Sequence, residues 1–342
     1  VVFLLYILIA ATVFTGLIRH YALSHQVLDI PNQRSSHSTP TPRGGGLAIV
    51  LAVFCACAFL FLSNQLNPVW FLALSSTLLV AFIGFCDDHA HVAARWRLLT
   101  HIFAAGLALY FLNDLPQLLL PQPFNILIGH AYLNLGWFGF LIGVLLLVWS
   151  LNLFNFMDGT DGIAASEAVF VSAALAGYLY FIDLTLFSVT SSLAAACLGF
   201  LLWNWPKAKI FMGDVGSGFL GLLLGILILM AAQQAAVLLY CGLILYGIFI
   251  VDASYTLLVR LFSGQKWYDA HCSHTYQQAA KRYGHLRVLL VCWAINLCWL
   301  APISLLVFLN PGYALWGCLF AYLPLIALAY FFKAGQIEII NS

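Results

Sequence analysis

Apolar residues run almost unbroken through most of the chain, with neither the alternation of a half-buried strand nor the single stripe of a surface helix. Crossing a bilayer as a helix takes about 20 such residues, sometimes about 17. The pattern therefore predicts an all-α, polytopic membrane protein of about eleven transmembrane helices. They are expected near 1–22, 45–64, 69–86, 97–113, 136–153, 163–182, 184–203, 216–232, 236–260, 288–309 and 312–332. No repeat, low-complexity tract or soluble domain interrupts them, so residues 1–342 read as one transmembrane domain. The first segment lacks a basic leader and a small-residue cleavage site. It is expected to stay as a helix and not to act as a signal peptide.

Charge gives this pattern a direction. All 13 Lys and Arg fall at the end of the first span, between spans 1–2, 3–4, 7–8 and 9–10, or after the last. Basic residues mark cytoplasmic loops. The N-terminus is thus expected to lie outside, with the basic face and the C-terminus cytoplasmic. The stretch 113–136 on the other face carries no Lys or Arg.

Composition agrees, with 63% hydrophobic and 7% charged residues, against about 25% charged in soluble domains. A net charge of +1 gives no reason to expect nucleic acid as a partner. Most of the nine cysteines lie inside apolar runs, where Cys acts as a small hydrophobe, and no paired CxxC spacing suggests zinc.

The polar residues that remain gather in loops 24–44, 86–97, 153–163, 203–216 and 261–287, all on the expected cytoplasmic face. A channel or two-sided transporter needs polar groups across the bilayer. Polarity at one edge points instead to a membrane-edge active site. Asp87, Asp88, Asp158, Asp161 and Asp214 supply hard oxygen donors suited to Mg²⁺, which takes one or two carboxylates and is completed by water and phosphate. Arg34, Arg43, Arg95, Arg97, Lys207 and Lys209 suit phosphate. "RGGG" and "MGDVGSG" permit close backbone approach and offer free N–H groups to an anion. Together these point to a phosphate-bearing substrate. His89 and His91 are expected to be spectators, and Asp252 to make an internal polar bond.

The ordered set "STPTPRGGG", "DD", "NFMDGTDG", "FMGDVGS" and a late His-rich loop resembles the polyprenyl-phosphate N-acetylhexosamine-1-phosphate transferase family. The resemblance runs from about residue 28 to 285. It implies transfer of HexNAc-1-phosphate from a UDP-HexNAc to undecaprenyl phosphate, with Mg²⁺ or Mn²⁺ as cofactor, at the inner membrane. Asp214 would bind the metal with Asp88 near it, and Asp87 would deprotonate or orient the lipid phosphate. His271 and His274 would be the outer histidines of the late loop, which reads "HCSH" with Ser273 where many members have a third. Asn155, Asp158 and Asp161 would line the nucleotide-sugar site. Asn204 matches an Asn ahead of the metal aspartate, and Phe211 an aromatic against uracil. Arg34, Thr41, Arg43 and Arg97 would contact substrate. The interrupted His run looks more like the O-antigen initiator branch, with a GlcNAc, FucNAc or QuiNAc donor. The alternatives are a phospho-MurNAc-pentapeptide translocase and a non-enzymatic lipid-linked sugar flippase. A homodimer is implied by the resemblance alone.

Overall fold

The computed structural model describes residues 2–31, 39–113, 115, 117–129, 131–266 and 271–336. The chain is mostly helical, and each predicted apolar segment is helical over most of its length. Among the described residues, seven helices are long and apolar enough to cross a membrane: Val2–Ser24, Pro68–His89, Gly136–Met157, Leu184–Asn204, Asp214–Gln234, His285–Leu309 and Pro311–Phe331. An eighth qualifies if Val237–Leu245 and Gly247–Phe262, bent by 71° at their junction, form one span. Leu47–Leu62 and Ile163–Leu179 are shorter apolar helices, and Ala94–Leu112 begins with two arginines.

The helix Asp214–Gln234 is the axis of the bundle, and its whole apolar window is buried. Glycines on it and on its neighbours let the backbones close in. A Cβ on Gly221 would lie 2.5 Å from the Ser150 carbonyl oxygen, and one on Gly84 would lie 2.4 Å from that of Asp214. Close approach of this kind replaces the hydrophobic drive that lipid removes. It brings the C-terminal half of Pro68–His89 against the first turn of the central helix.

The loops separate into two sets at opposite ends of the helices. At one end Gly45 N donates to the Phe211 carbonyl (2.9 Å), Asp214 N to Asp88, Ala208 N to Asp161 and Tyr276 Oη to the Phe156 carbonyl. These bonds join all five polar stretches. At the other end Trp316 Nε1 donates to the Gln122 carbonyl (2.8 Å), Tyr240 Oη to that of Leu119 (2.6 Å) and Gln233 Nε2 to that of Leu112 (3.2 Å). Two short antiparallel pairs decorate the ends, Leu28–Asp29 with Thr41–Pro42 and Leu118–Leu119 with Tyr132–Leu133.

Candidate active site

The paired aspartates lie in the last turn of Thr77–His89, and Asp214 opens the central helix. Asp88 faces the N-terminus of that helix. Its Oδ1 accepts from Asp214 N (2.9 Å) and its Oδ2 from Val215 N (3.1 Å). An anion belongs there, because the first N–H groups of a helix have no internal partner and carry its positive end. Gly213 makes the fit, since it turns at φ +76° and a Cβ on it would come 2.5 Å from Asp88 Oδ2. The Asp88 side chain is fully covered, and Arg43 Nε reaches its Oδ1 at 2.7 Å.

Two arginines bridge the cluster. Arg43 Nη2 binds Asp214 Oδ1 at 2.9 Å, so one guanidinium spans Asp88 and Asp214. Arg97 Nη1 lies 2.5 Å from Asp87 Oδ2 and 3.1 Å from Asp214 Oδ2, spanning a second pair. Burial works against the charge on Arg43, but Asp88, Asp214 and more distant carboxylates outweigh it and hold its pKa above the ordinary value. Asp87 is steadied by Val92 N at 2.8 Å. Asn155 Nδ2 donates to Asp214 Oδ1 and to Ser217 Oγ, both at 3.2 Å.

Asp158, at the end of Gly136–Met157, joins this field. Burial, then Asp214, pushes its pKa well up; Arg43 opposes the rise and Asp88 adds to it. Four carboxyl groups, Asp87, Asp88, Asp158 and Asp214, share two guanidinium groups, Arg43 and Arg97. Among the described residues no three His, Cys, Asp or Glu side chains group tightly enough to hold a metal alone. A Mg²⁺ site needs fewer, because water and phosphate complete it. The all-oxygen donor set is of the kind a divalent cation takes, and Asp214, with Asp88 or Asp87, would hold it. All three aspartates already accept bonds from protein donors: Asp88 from Asp214 N, Val215 N and Arg43, Asp214 from Arg43, Arg97 and Asn155, and Asp87 from Val92 N and Arg97.

The other expected site residues are placed as follows. Asp161 Oδ2 accepts from Ala208 N (3.1 Å) and lies 3.4 Å from His285 Nδ1. Asn204 is 3% exposed and its amide is spent on two loops: Oδ1 accepts from Gly162 N (3.0 Å), and Nδ2 donates to the Ile210 carbonyl (2.9 Å). It ties the 158–162 turn to the 205–213 loop. Phe211 exchanges backbone bonds with Pro42 and Gly45. Thr41 is buried beside it, with its hydroxyl on the Thr39 carbonyl. Arg34 lies outside the described residues. Lys209 lies over the Trp203 ring and Arg95 over Trp96. His89 Nδ1 meets the Phe85 carbonyl at 2.9 Å.

His271 and His274 form a second centre, with ring centroids 4.9 Å apart. Their loop docks on the first site through Tyr276 Oη, 2.9 Å from the Phe156 carbonyl, two residues before Asp158. Burial, then His274 and Arg260, lowers the His271 pKa to about 4, with Asp252 opposing. Its imidazole is therefore neutral at pH 7. Sequence reasoning passed over His285 and Tyr276. Their only signal is position, at the end and in the middle of the polar stretch 268–285.

These features define a polytopic membrane protein whose arginine-bridged aspartates sit at one end of the bundle. Residues 70–232 match the model of glycosyl transferase family 4. A probable undecaprenyl-phosphate N-acetylglucosaminyl 1-phosphate transferase of Bacillus subtilis (strain 168) is 27% identical over 268 residues, 75% of this chain and 71% of the relative. A phospho-N-acetylmuramoyl-pentapeptide-transferase of Rhodopseudomonas palustris (strain BisB18) is 34% identical over 239 residues, 62% of this chain and 64% of its own length. One of Pelotomaculum thermopropionicum is 30% identical over 308 residues, 85% of this chain and 91% of its own. The chain belongs to this family.

Proposed function

We propose that the chain is a polyprenyl-phosphate glycosyl-1-phosphate transferase that moves HexNAc-1-phosphate from a UDP-HexNAc to undecaprenyl phosphate and releases UMP. The observation that carries this reading is the pair of arginines bridging three aspartates at the end of the bundle. Relatives named as sugar-1-phosphate and muramoyl-pentapeptide transferases support it. An oxygen of the lipid phosphate attacks the β-phosphorus of the donor. The new P–O bond forms as the bond from that phosphorus to the bridging oxygen breaks, and the electron pair leaves with UMP. Arg43 and Arg97 are 32% and 29% exposed, and each fork has five donors, enough to grip phosphate beside its carboxylates. Asp87 orients or deprotonates the lipid phosphate, and Asp88 holds Asp214 and Arg43 in register. A bound Mg²⁺ or Mn²⁺ would supply charge neutralisation on the transferring phosphates.

The site faces the cytoplasm in this reading, with the N-terminus outside the bacterial inner membrane, because all 13 basic residues belong to that face. The product would initiate O-antigen or a related surface polysaccharide, a branch favoured by the interrupted run His271–Cys272–Ser273–His274. The muramoyl-pentapeptide relatives favour a second reading, with UDP-MurNAc-pentapeptide as donor. Purified protein in detergent, given undecaprenyl phosphate, MgCl₂ and a panel of both donor types, decides between them. UMP release that needs lipid and metal establishes the transferase, and the best donor names the sugar. No UMP from any donor returns the chain to the flippase alternative.

A further inference from the structure

The histidine loop rests on a carboxylate inside a neighbouring helix. Asp252, in Gly247–Phe262, is 6% exposed. Its Oδ1 accepts from Thr275 N (2.9 Å) and its Oδ2 from Tyr276 N (3.0 Å), the first N–H groups of the helix Thr275–Tyr283. His274 Nδ1 lies 3.3 Å from Oδ1. A carboxylate at that distance keeps the proton on Nδ1 and turns the ring with it. His274 is itself 3% exposed, and its ring stacks on His271 and faces Phe156 at 6.1 Å. His271 is only partly buried, and its Nδ1 pairs with Ser273 Oγ at 3.0 Å. The Ser273 carbonyl accepts from Gly335 N (2.8 Å), which pins the loop from the far end of the chain. Order thus passes from a buried carboxylate to a buried imidazole and on to an accessible one.

We propose that Asp252 is a positioning residue for the transfer: through His274 it sets the orientation of His271, and His271 alone of the two histidines meets the nucleotide-sugar donor. The inference rests on the transferase reading above. It divides two histidines of equal standing in the sequence into a contact and its support. The middle position of the run is then free to be serine, because Ser273 serves by steadying the His271 ring.

The test is a double-mutant cycle on the full-length protein, with Asp252→Asn, His271→Ala and both together, each normalised to active enzyme. Asparagine keeps one acceptor oxygen but sets an NH2 group where an Asp252 oxygen accepts a backbone N–H, so it loses one of the two backbone bonds and the charge that holds the imidazole N–H. We expect Asp252→Asn to raise KM for the donor about tenfold with kcat nearly unchanged, and the double variant to be no worse than His271→Ala. Diethyl pyrocarbonate gives a readout independent of activity, mapped by mass spectrometry on the tryptic peptide 267–281. His271 should be modified and His274 protected in the wild type, and both modified in Asp252→Asn. If Asp252→Asn also labels buried His101, the variant has unfolded, and Asp252→Glu takes its place in the cycle. Additive losses, an unchanged KM, or equal labelling of both histidines in the wild type would overturn the proposal. UMP release with additive variants removes this inference alone, whereas a wild type that releases no UMP removes the transferase reading as well.

Discussion

Asp88 and Asp252 do the same physical work in two regions of the molecule. Each is buried, each projects from one helix, and each caps the N-terminus of another by accepting two consecutive backbone N–H groups. They differ in the third partner. Asp88 holds Arg43, a permanent cation that also grips Asp214, while Asp252 holds the ring of His274. The first region is a charged cluster whose aspartates and arginines partly neutralise one another. The second is a nearly neutral stack of rings on one anchored carboxylate. The first is suited to stabilising charge, the second to shaping the wall of a pocket.

The largest expected effect lies at the charged cluster. Asp214→Asn should keep the fold, since the Asp88 cap uses backbone N–H groups, yet lower UMP release by roughly 10³-fold, as loss of a principal electrostatic group does. Activity within tenfold of wild type would show that the cluster is not the reaction centre. Asp88→Leu should act on the fold as well. It orphans two backbone donors and strips Arg43 of one partner, at about 2–3 kcal/mol, read as a fall in the melting temperature in detergent. If Asp88→Leu melts like wild type, the two carboxylates are not equivalent caps.

Arg97→Lys sharpens the comparison further. Arg97 reaches Asp87 and Asp214 with one planar fork. Lysine keeps the charge but loses the fork. A loss of about 10- to 100-fold in kcat/KM is expected, with little change in melting temperature, because the site is partly open to solvent.

Much of this was legible in the sequence because the bilayer demands it. Long apolar runs gave the helices, and the scarcity of charge made every aspartate in a loop conspicuous. Asp87, Asp88, Arg43, Arg97, Asn155 and Asp214 come together from four separate stretches as expected. What was hidden is geometry that composition does not encode. The 71° bend after Leu245 falls inside a continuous apolar run, where packing and not polarity decides the backbone. The π-helical turn Asn296–Leu300, which places Asn296 Nδ2 2.7 Å from buried Glu167, is silent for the same reason. Asn204 looked like a substrate contact, and Asp252, expected to make an internal polar bond, does so, to the start of another helix. Their roles as ties between loops depend on which backbone groups are left unpaired, and no side-chain pattern records that.

The smallest expected effect separates the two regions by pH. Folding lowers the His271 pKa from 6.5 to about 4, chiefly through burial. Between those values the unfolded chain binds a proton that the folded chain refuses, so stability falls as pH drops from about 6.5 to about 4 and is fully present above that window. His271→Asn should flatten this part of the melting-temperature profile while leaving the response of the carboxylates intact. Equal slopes in wild type and variant would mean that the ring is solvated when folded and that the histidine stack does not form the wall described here. A flattened slope together with unaltered melting at pH 8 would locate the acid sensitivity in the neutral region, apart from the arginine-bridged aspartates.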